Sequence, residues 1–131
     1  MQLSLTLAAV DLQKTEKFYR EVLLLSPQFL ENSHAEKTHL LLIFGNIKIV
    51  FQRLQDIEAQ HPALLQNLNR VPLGVGLQLE MSCKNLDDIY HLTKQFHWPI
   101  AYELEDHEHQ RRELWLQDPD GYLLVLNEEG E

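Results

Sequence analysis

Cysteine is nearly missing from this chain: its 131 residues hold only Cys83. No disulfide can form within it, so no cross-link can stand in for a hydrophobic core, and a reducing, cytoplasmic setting is the simplest reading. Long apolar runs are missing too. The longest, Val22 to Leu25 and Leu40 to Phe44, fall well short of the roughly 20 residues that cross a bilayer. Met1-Gln2-Leu3-Ser4 places no basic stretch ahead of an apolar one, so no secretory signal is expected. Basic residues are scarce, with 11 Lys and Arg against 20 Asp and Glu, a formal charge of -9. Such a balance opposes binding to nucleic acid or to anionic membranes. It serves solubility first and favours cationic ligands only weakly.

What is present is patterned. Leu3, Leu5 and Leu7 alternate with Gln2, Ser4 and Thr6, a period of two that predicts a strand with one buried face. Asp11 stands where a helix N-cap belongs. Leu12, Phe18, Tyr19, Val22 and Leu23 then form a helical stripe, ending near Leu25 and Ser26 ahead of Pro27. Pro27 to Leu30 and His39 to Phe44 read as strands, with polar Glu31 to Thr38 as the turn between them. Gly45-Asn46 is a hairpin signal, and Ile47 to Leu54 a returning strand. Gln55 to Arg70 is polar, holds Pro62 and spaces Leu64, Leu65 and Leu68 helically, which predicts a linker with a short helix.

The same order then recurs. Val75, Leu77, Leu79 and Met81 alternate with Gly76, Gln78 and Glu80. Asn85 opens a helix whose first turn carries Asp87 and Asp88, on the favourable side of the helix dipole. Leu86, Ile89, Tyr90, Leu92, Thr93 and Phe96 carry it to His97, and Pro99 stops it. Ile100 to Leu104, Glu113 to Gln117 and Tyr122 to Asn127 read as strands. Asp118-Pro119-Asp120-Gly121 is a turn, with Pro fixing one backbone angle and Gly supplying a positive one. Two runs of strand, helix and three strands imply a duplication. The expectation is one α+β domain of two modules: 1–54, a linker over 55–70, and 71–131.

These residues resemble a known family. Asp11-Leu12, Phe18 to Leu23, Gly74-Val75-Gly76 leading into Asn85 to Tyr90, Trp98-Pro99-Ile100 and Asp118 to Tyr122 occur in the order of the vicinal-oxygen-chelate superfamily, the glyoxalase/bleomycin resistance/dioxygenase type. The resemblance spans nearly the whole chain. It implies two βαβββ modules forming an open curved sheet around a cleft, commonly in a homodimer. In its metalloenzymes, His and Glu side chains hold a divalent metal that acts as a Lewis acid on vicinal substrate oxygens.

The implied ligand positions carry other residues. The first, a His in the family, is Ser4 here. The second falls among Lys48, Val50 and Gln52, and the third at Gly76 or Gln78. The fourth, a Glu in the family, is Val125. With no His and no sure carboxylate, no metal cofactor is expected. By alternation Ser4, Thr6, Gln78, Glu80, Leu123, Val125 and Asn127 face the cleft, and the resemblance adds Gln52 as a candidate there. On the neighbouring strand either Glu113, Trp115 and Gln117 or Arg112, Leu114 and Leu116 do so. The leucines suit the core, which favours Glu113 and Trp115 for the cleft.

Elsewhere the chemistry is thin. His107 and His109 flank Glu108 in a charged stretch that reads as a solvated loop end. His91 and His97 lie on different faces, and His34, His39 and His61 look incidental. Cys83 has no acid or base partner and reads as an inert thiol. The implied function is a metal-free protein that binds a cationic or aromatic small molecule, with no catalytic residue. The alternatives are a metal-dependent lyase, isomerase or dioxygenase with a divergent site, and a dimeric interaction protein without a ligand.

Overall fold

A computed structural model describes residues 1–32, 37–60 and 72–128. The chain divides into two compact units, Met1–Leu73 and Gly74–Glu131. The first runs β1 (Leu3–Ala9), α1 (Leu12–Glu21), β2 (Gln28–Asn32), β3 (Lys37–Phe44), β4 (Ile47–Arg53) and α2 (Leu54–Gln60). The second runs β5 (Gln78–Cys83), α3 (Leu86–Gln95), β6 (Ile100–Asp106), β7 (Arg111–Gln117) and β8 (Leu123–Glu128). No described helix is long and apolar enough to cross a membrane.

Each unit is one βαβββ module with an open four-stranded sheet, ordered β1-β4-β3-β2 in the first and β5-β8-β7-β6 in the second. In both, the first strand pairs in parallel with the last and the other neighbours run antiparallel. A parallel neighbour needs a long crossover, which the helix and the intervening strands supply.

In the first unit Asp11 caps α1 as expected. Its carboxylate accepts from the backbone N–H of Gln13 at 3.0 Å and of Lys14 at 3.2 Å. The apolar stripe buries Leu12, Phe18 and Tyr19 on the sheet. Tyr19 meets Phe51 at 5.2 Å between ring centroids, above Leu40, Leu42 and Ile49. Losing a ring such as Phe51 from so closed a core costs about 3–5 kcal/mol. Thr15 is fully buried because its hydroxyl donates to the Asp11 carbonyl, and Thr93 in α3 does the same to Ile89. The second core gathers Leu86, Ile89, Leu114, Leu116, Leu124 and Leu126.

Several boundaries differ from the sequence reading. Helix α1 stops at Glu21, not near Leu25, because the chain turns left-handed at Leu24 (φ 57). Strands β2 and β3 extend through residues expected to form their turn, and α2 begins at Leu54, where a strand was expected. That helix packs on β1 and β4 through buried Ile57. Leu64, Leu65 and Leu68, read as a linker helix, lie outside the described residues, as do His34, His61 and Pro62.

Strand β5 starts at Gln78, so Val75 does not join the core and is 67% exposed. The segment before it is a turn, closed by Leu77 N–H on the Gly74 carbonyl and by Gly76 at φ +84. Strands β6 and β7 run on to Asp106 and back from Arg111, longer than the periodicity marked. Asn85 precedes α3 without a side-chain capping bond.

Candidate functional site

Each helix covers one face of its own sheet, and register decides which side chains stand on the other. In the first unit the rows turned away from α1 are Ser4, Lys48 and Ile43, then Thr6, Val50, Leu41 and Gln28, then the pairs Ala8–Gln52 and His39–Leu30. Ser4 and Thr6 therefore stand on this face, as alternation predicts. The neighbour of Ser4 is Lys48. Gln52 lies four residues further along the strand, about 13 Å away, too far to share a ligand atom with Ser4.

In the second unit the rows turned away from α3 are Gln78, Leu123 and Gln117, then Glu80, Val125, Trp115 and Tyr102, then Ser82, Asn127, Glu113 and Leu104, with Val125 buried among them. All six residues anticipated on this module's cleft side (Gln78, Glu80, Glu113, Trp115, Val125 and Asn127) share this face. The open alternative on β7 resolves by burial, since Leu114 and Leu116 are 2% and 0% exposed beneath α3. Arg112 is on the helix side too, where its guanidinium pairs with Asp87 and lies over the Tyr90 ring. That pairing holds the Arg112 pKa above its ordinary value.

The second face is held by a hydrogen-bonded set. Trp115 donates its indole N–H to Glu113 Oε2 at 2.8 Å, and the Arg111 guanidinium donates to Glu113 Oε1 at 3.3 Å. Ser82 donates to Asn127 Oδ1, and Asn127 Nδ2 donates to Glu80 Oε1, both at 2.7 Å. Tyr102 meets Trp115 edge-on, with centroids 5.0 Å apart and planes at 63°. Two carboxylates and an aromatic pair thus share one face, most of their polar atoms already oriented.

Periodicity did not single out Tyr102, Ser82 or Arg111. Ile100, Tyr102 and Leu104 alternate as though they shared a face. A register irregularity between Ile100 and Tyr102 instead leaves Ile100 opposite Leu116 on the core side and puts Tyr102 opposite Trp115. An extra residue of this kind reverses the facing of everything after it. The only hint in the sequence is the charged tail Glu103 to Asp106, where alternation ceases to be apolar.

The remaining candidates sit apart. Cys83 contacts the Asn127 carbonyl at 3.5 Å. At the β6–β7 turn His109 Nδ1 lies 2.8 Å from Asp106 Oδ2, and His107 3.5 Å from Glu105. The hydrogen bonds from His109 hold the Asp106 carboxyl below the usual range. Among the described residues, no three His, Cys, Asp or Glu side chains gather as a metal site.

No protein-family model and no curated protein matches the chain. Solved structures do. The lactoylglutathione lyase of Agrobacterium tumefaciens is similar over 98% of this chain and 92% of its own, at 17% identity and a TM-score of 0.64. A member of the glyoxalase/bleomycin resistance protein/dioxygenase superfamily from Sphaerobacter thermophilus aligns over 98% and 97%, at 16% identity and 0.63. The fosfomycin resistance protein FosX of Listeria monocytogenes aligns over 97% and 91%, at 14% identity and 0.61. These likenesses establish the fold, two βαβββ modules of the glyoxalase/bleomycin-resistance kind.

Proposed function

We propose that this chain is a metal-free binding protein that takes up a small cationic or aromatic compound without transforming it. The observation that carries the reading is the Tyr102–Trp115 pair on the face of the second module turned away from α3, with Glu113 bonded to the indole and Glu80 two strands away in the same row. Aromatic faces and carboxylates attract organic cations, by ring quadrupole and by charge. The similar structures include one named a lyase and one named a resistance protein, so the fold alone favours neither chemistry nor sequestration.

Donor chemistry favours binding. The position where the family's first ligand falls is a Ser hydroxyl with the Lys48 ammonium as its neighbour in register, and an ammonium repels a metal cation. The fourth position is Val125, which has no donor atom. Its neighbour in register, Glu80, supplies one carboxylate, with Oε1 held by the Asn127 amide. Neither pair of residues fits a divalent metal. The proposal extends to a homodimer in a reducing cytoplasm with no nucleic-acid or membrane partner, consistent with one cysteine and a charge of -9.

The test is a melting-temperature screen against aromatic and alkyl ammonium compounds, with elemental analysis of protein purified without chelator. Saturable stabilisation without stoichiometric metal supports the reading. Stoichiometric zinc, nickel, iron or manganese would replace it with a metalloenzyme.

A further inference from the structure

The two carboxylates on the face of the second module turned away from α3 are not equivalent. Glu113 has both oxygens engaged: Oε2 by the Trp115 indole N–H and Oε1 by the Arg111 guanidinium. Its charge is matched by Arg111, and its position is tied to the ring. Glu80 accepts from the neutral Asn127 amide through Oε1 alone. Among the described residues, its second oxygen has no hydrogen bond and no cation pairs with it. Asn127 is turned toward Glu80 because its own carbonyl is taken by the Ser82 hydroxyl. Glu80, Val125, Trp115 and Tyr102 lie in one row across four strands. Two interstrand steps, about 10 Å, separate the backbones of Glu80 and Trp115.

We infer that Glu80 sets the charge of the ligand on this face: it receives the single positive charge of an organic ammonium whose apolar body lies against Trp115 and Tyr102. Glu113 is a positioning residue for the indole. The inference rests on reading this face as a small-molecule site. A second cationic centre gains little here, because the other carboxylate is already balanced by Arg111. The face therefore prefers a monocation to a neutral aromatic and gains nothing from a second positive charge.

The test is a titration of intrinsic fluorescence with benzyltrimethylammonium, neutral benzyl alcohol and the dication p-xylylenebis(trimethylammonium). Subtracting the response of Trp115→Phe removes the contribution of Trp98. The expected result is saturation by the monocation, weakened on the order of tenfold in Glu80→Gln. The dication should bind no more tightly than the monocation. Glu113→Gln should shift the emission of the free protein yet keep the preference for cation over alcohol. Glu80→Gln retains an acceptor for Asn127, and circular dichroism verifies its fold. Saturable binding that Glu80→Gln leaves unchanged, or a dication bound tenfold more tightly, overturns the inference alone. No saturable response from the parent protein to any of the three probes overturns it together with the small-molecule reading.

Discussion

Trp115 donates its indole N–H to Glu113, two positions earlier on the same strand, across 2.8 Å. Residues so spaced share a face, so the strand itself supplies the partner that a half-buried indole needs. The ring also meets Tyr102 edge-on, with centroids 5.0 Å apart.

Removing that second contact is the first test. Tyr102→Ala should destabilise the protein by about 1 kcal/mol, the range for an aromatic pair beyond its area. Urea unfolding reads the loss, and near-ultraviolet circular dichroism should show weakened indole signals. An unchanged spectrum would mean that Tyr102 does not order Trp115.

Two helix ends carry side chains where glycine is easier. Helix α3 closes with Trp98 N–H on the Thr93 carbonyl and His97 N–H on the Lys94 carbonyl. His97 is left-handed at φ 54, and Leu24 after α1 at φ 57. A left-handed L-residue costs roughly 1–2 kcal/mol, and glycine is preferred at such caps. Since Leu24 is 46% exposed, little packing is lost with it. Leu24→Gly and His97→Gly should each stabilise by about 1 kcal/mol, after the glycine's greater unfolded-state entropy is set against the relief. Thermal and urea melts decide the sign.

Gly74 should tolerate nothing larger. A Cβ there would lie 2.0 Å from the Gly121 carbonyl oxygen and 2.4 Å from its carbon, and backbone cannot step aside as a side chain can. Gly74→Ala is expected to cost about 3 kcal/mol. Gly45, left-handed at φ +57 in open space, should accept Asn for less than about 1 kcal/mol. Equal losses at the two sites would refute the close approach.

The β6–β7 turn should respond to acid. Asp106 is held below its ordinary pKa, chiefly by the His109 side chain and then by the His109 backbone N–H. A lowered carboxylate pKa adds stability that is present above the unfolded value, about 3.9, and is lost as pH falls through the folded value. Asp106→Asn should therefore melt lower than the parent at neutral pH and approach it in acid below about pH 4. Melting curves across that window, identical in slope for the two proteins, would count against the pairing.

The architecture was legible early because it rests on local, repeated signals. Alternation in Leu3 to Leu7, the Asp11 cap and the Asp118 to Gly121 turn are each readable within a few residues, and the repeated order of strand, helix and three strands identified two modules. Facing within a regular strand was legible for the same reason, which is why Trp115 and Glu113 were placed on the side of Val125 and Asn127. Tyr102 was not legible, because a register irregularity depends on the partner strand. The end of α1 was also missed, because the apolar stripe continues through Leu23, Leu24 and Leu25 while the backbone does not.

The sequence by itself determined the fold class and the acidic balance of the chain. Those follow from composition, period and residue identity. Only the tertiary structure decided that Lys48 is the neighbour of Ser4, that Tyr102 joins Trp115, and that Glu113 is committed to Trp115 and Arg111 while Glu80 keeps an oxygen free. The physical reason is that neighbours across strands are set by register and by directed hydrogen bonds between segments up to 47 residues apart in the chain.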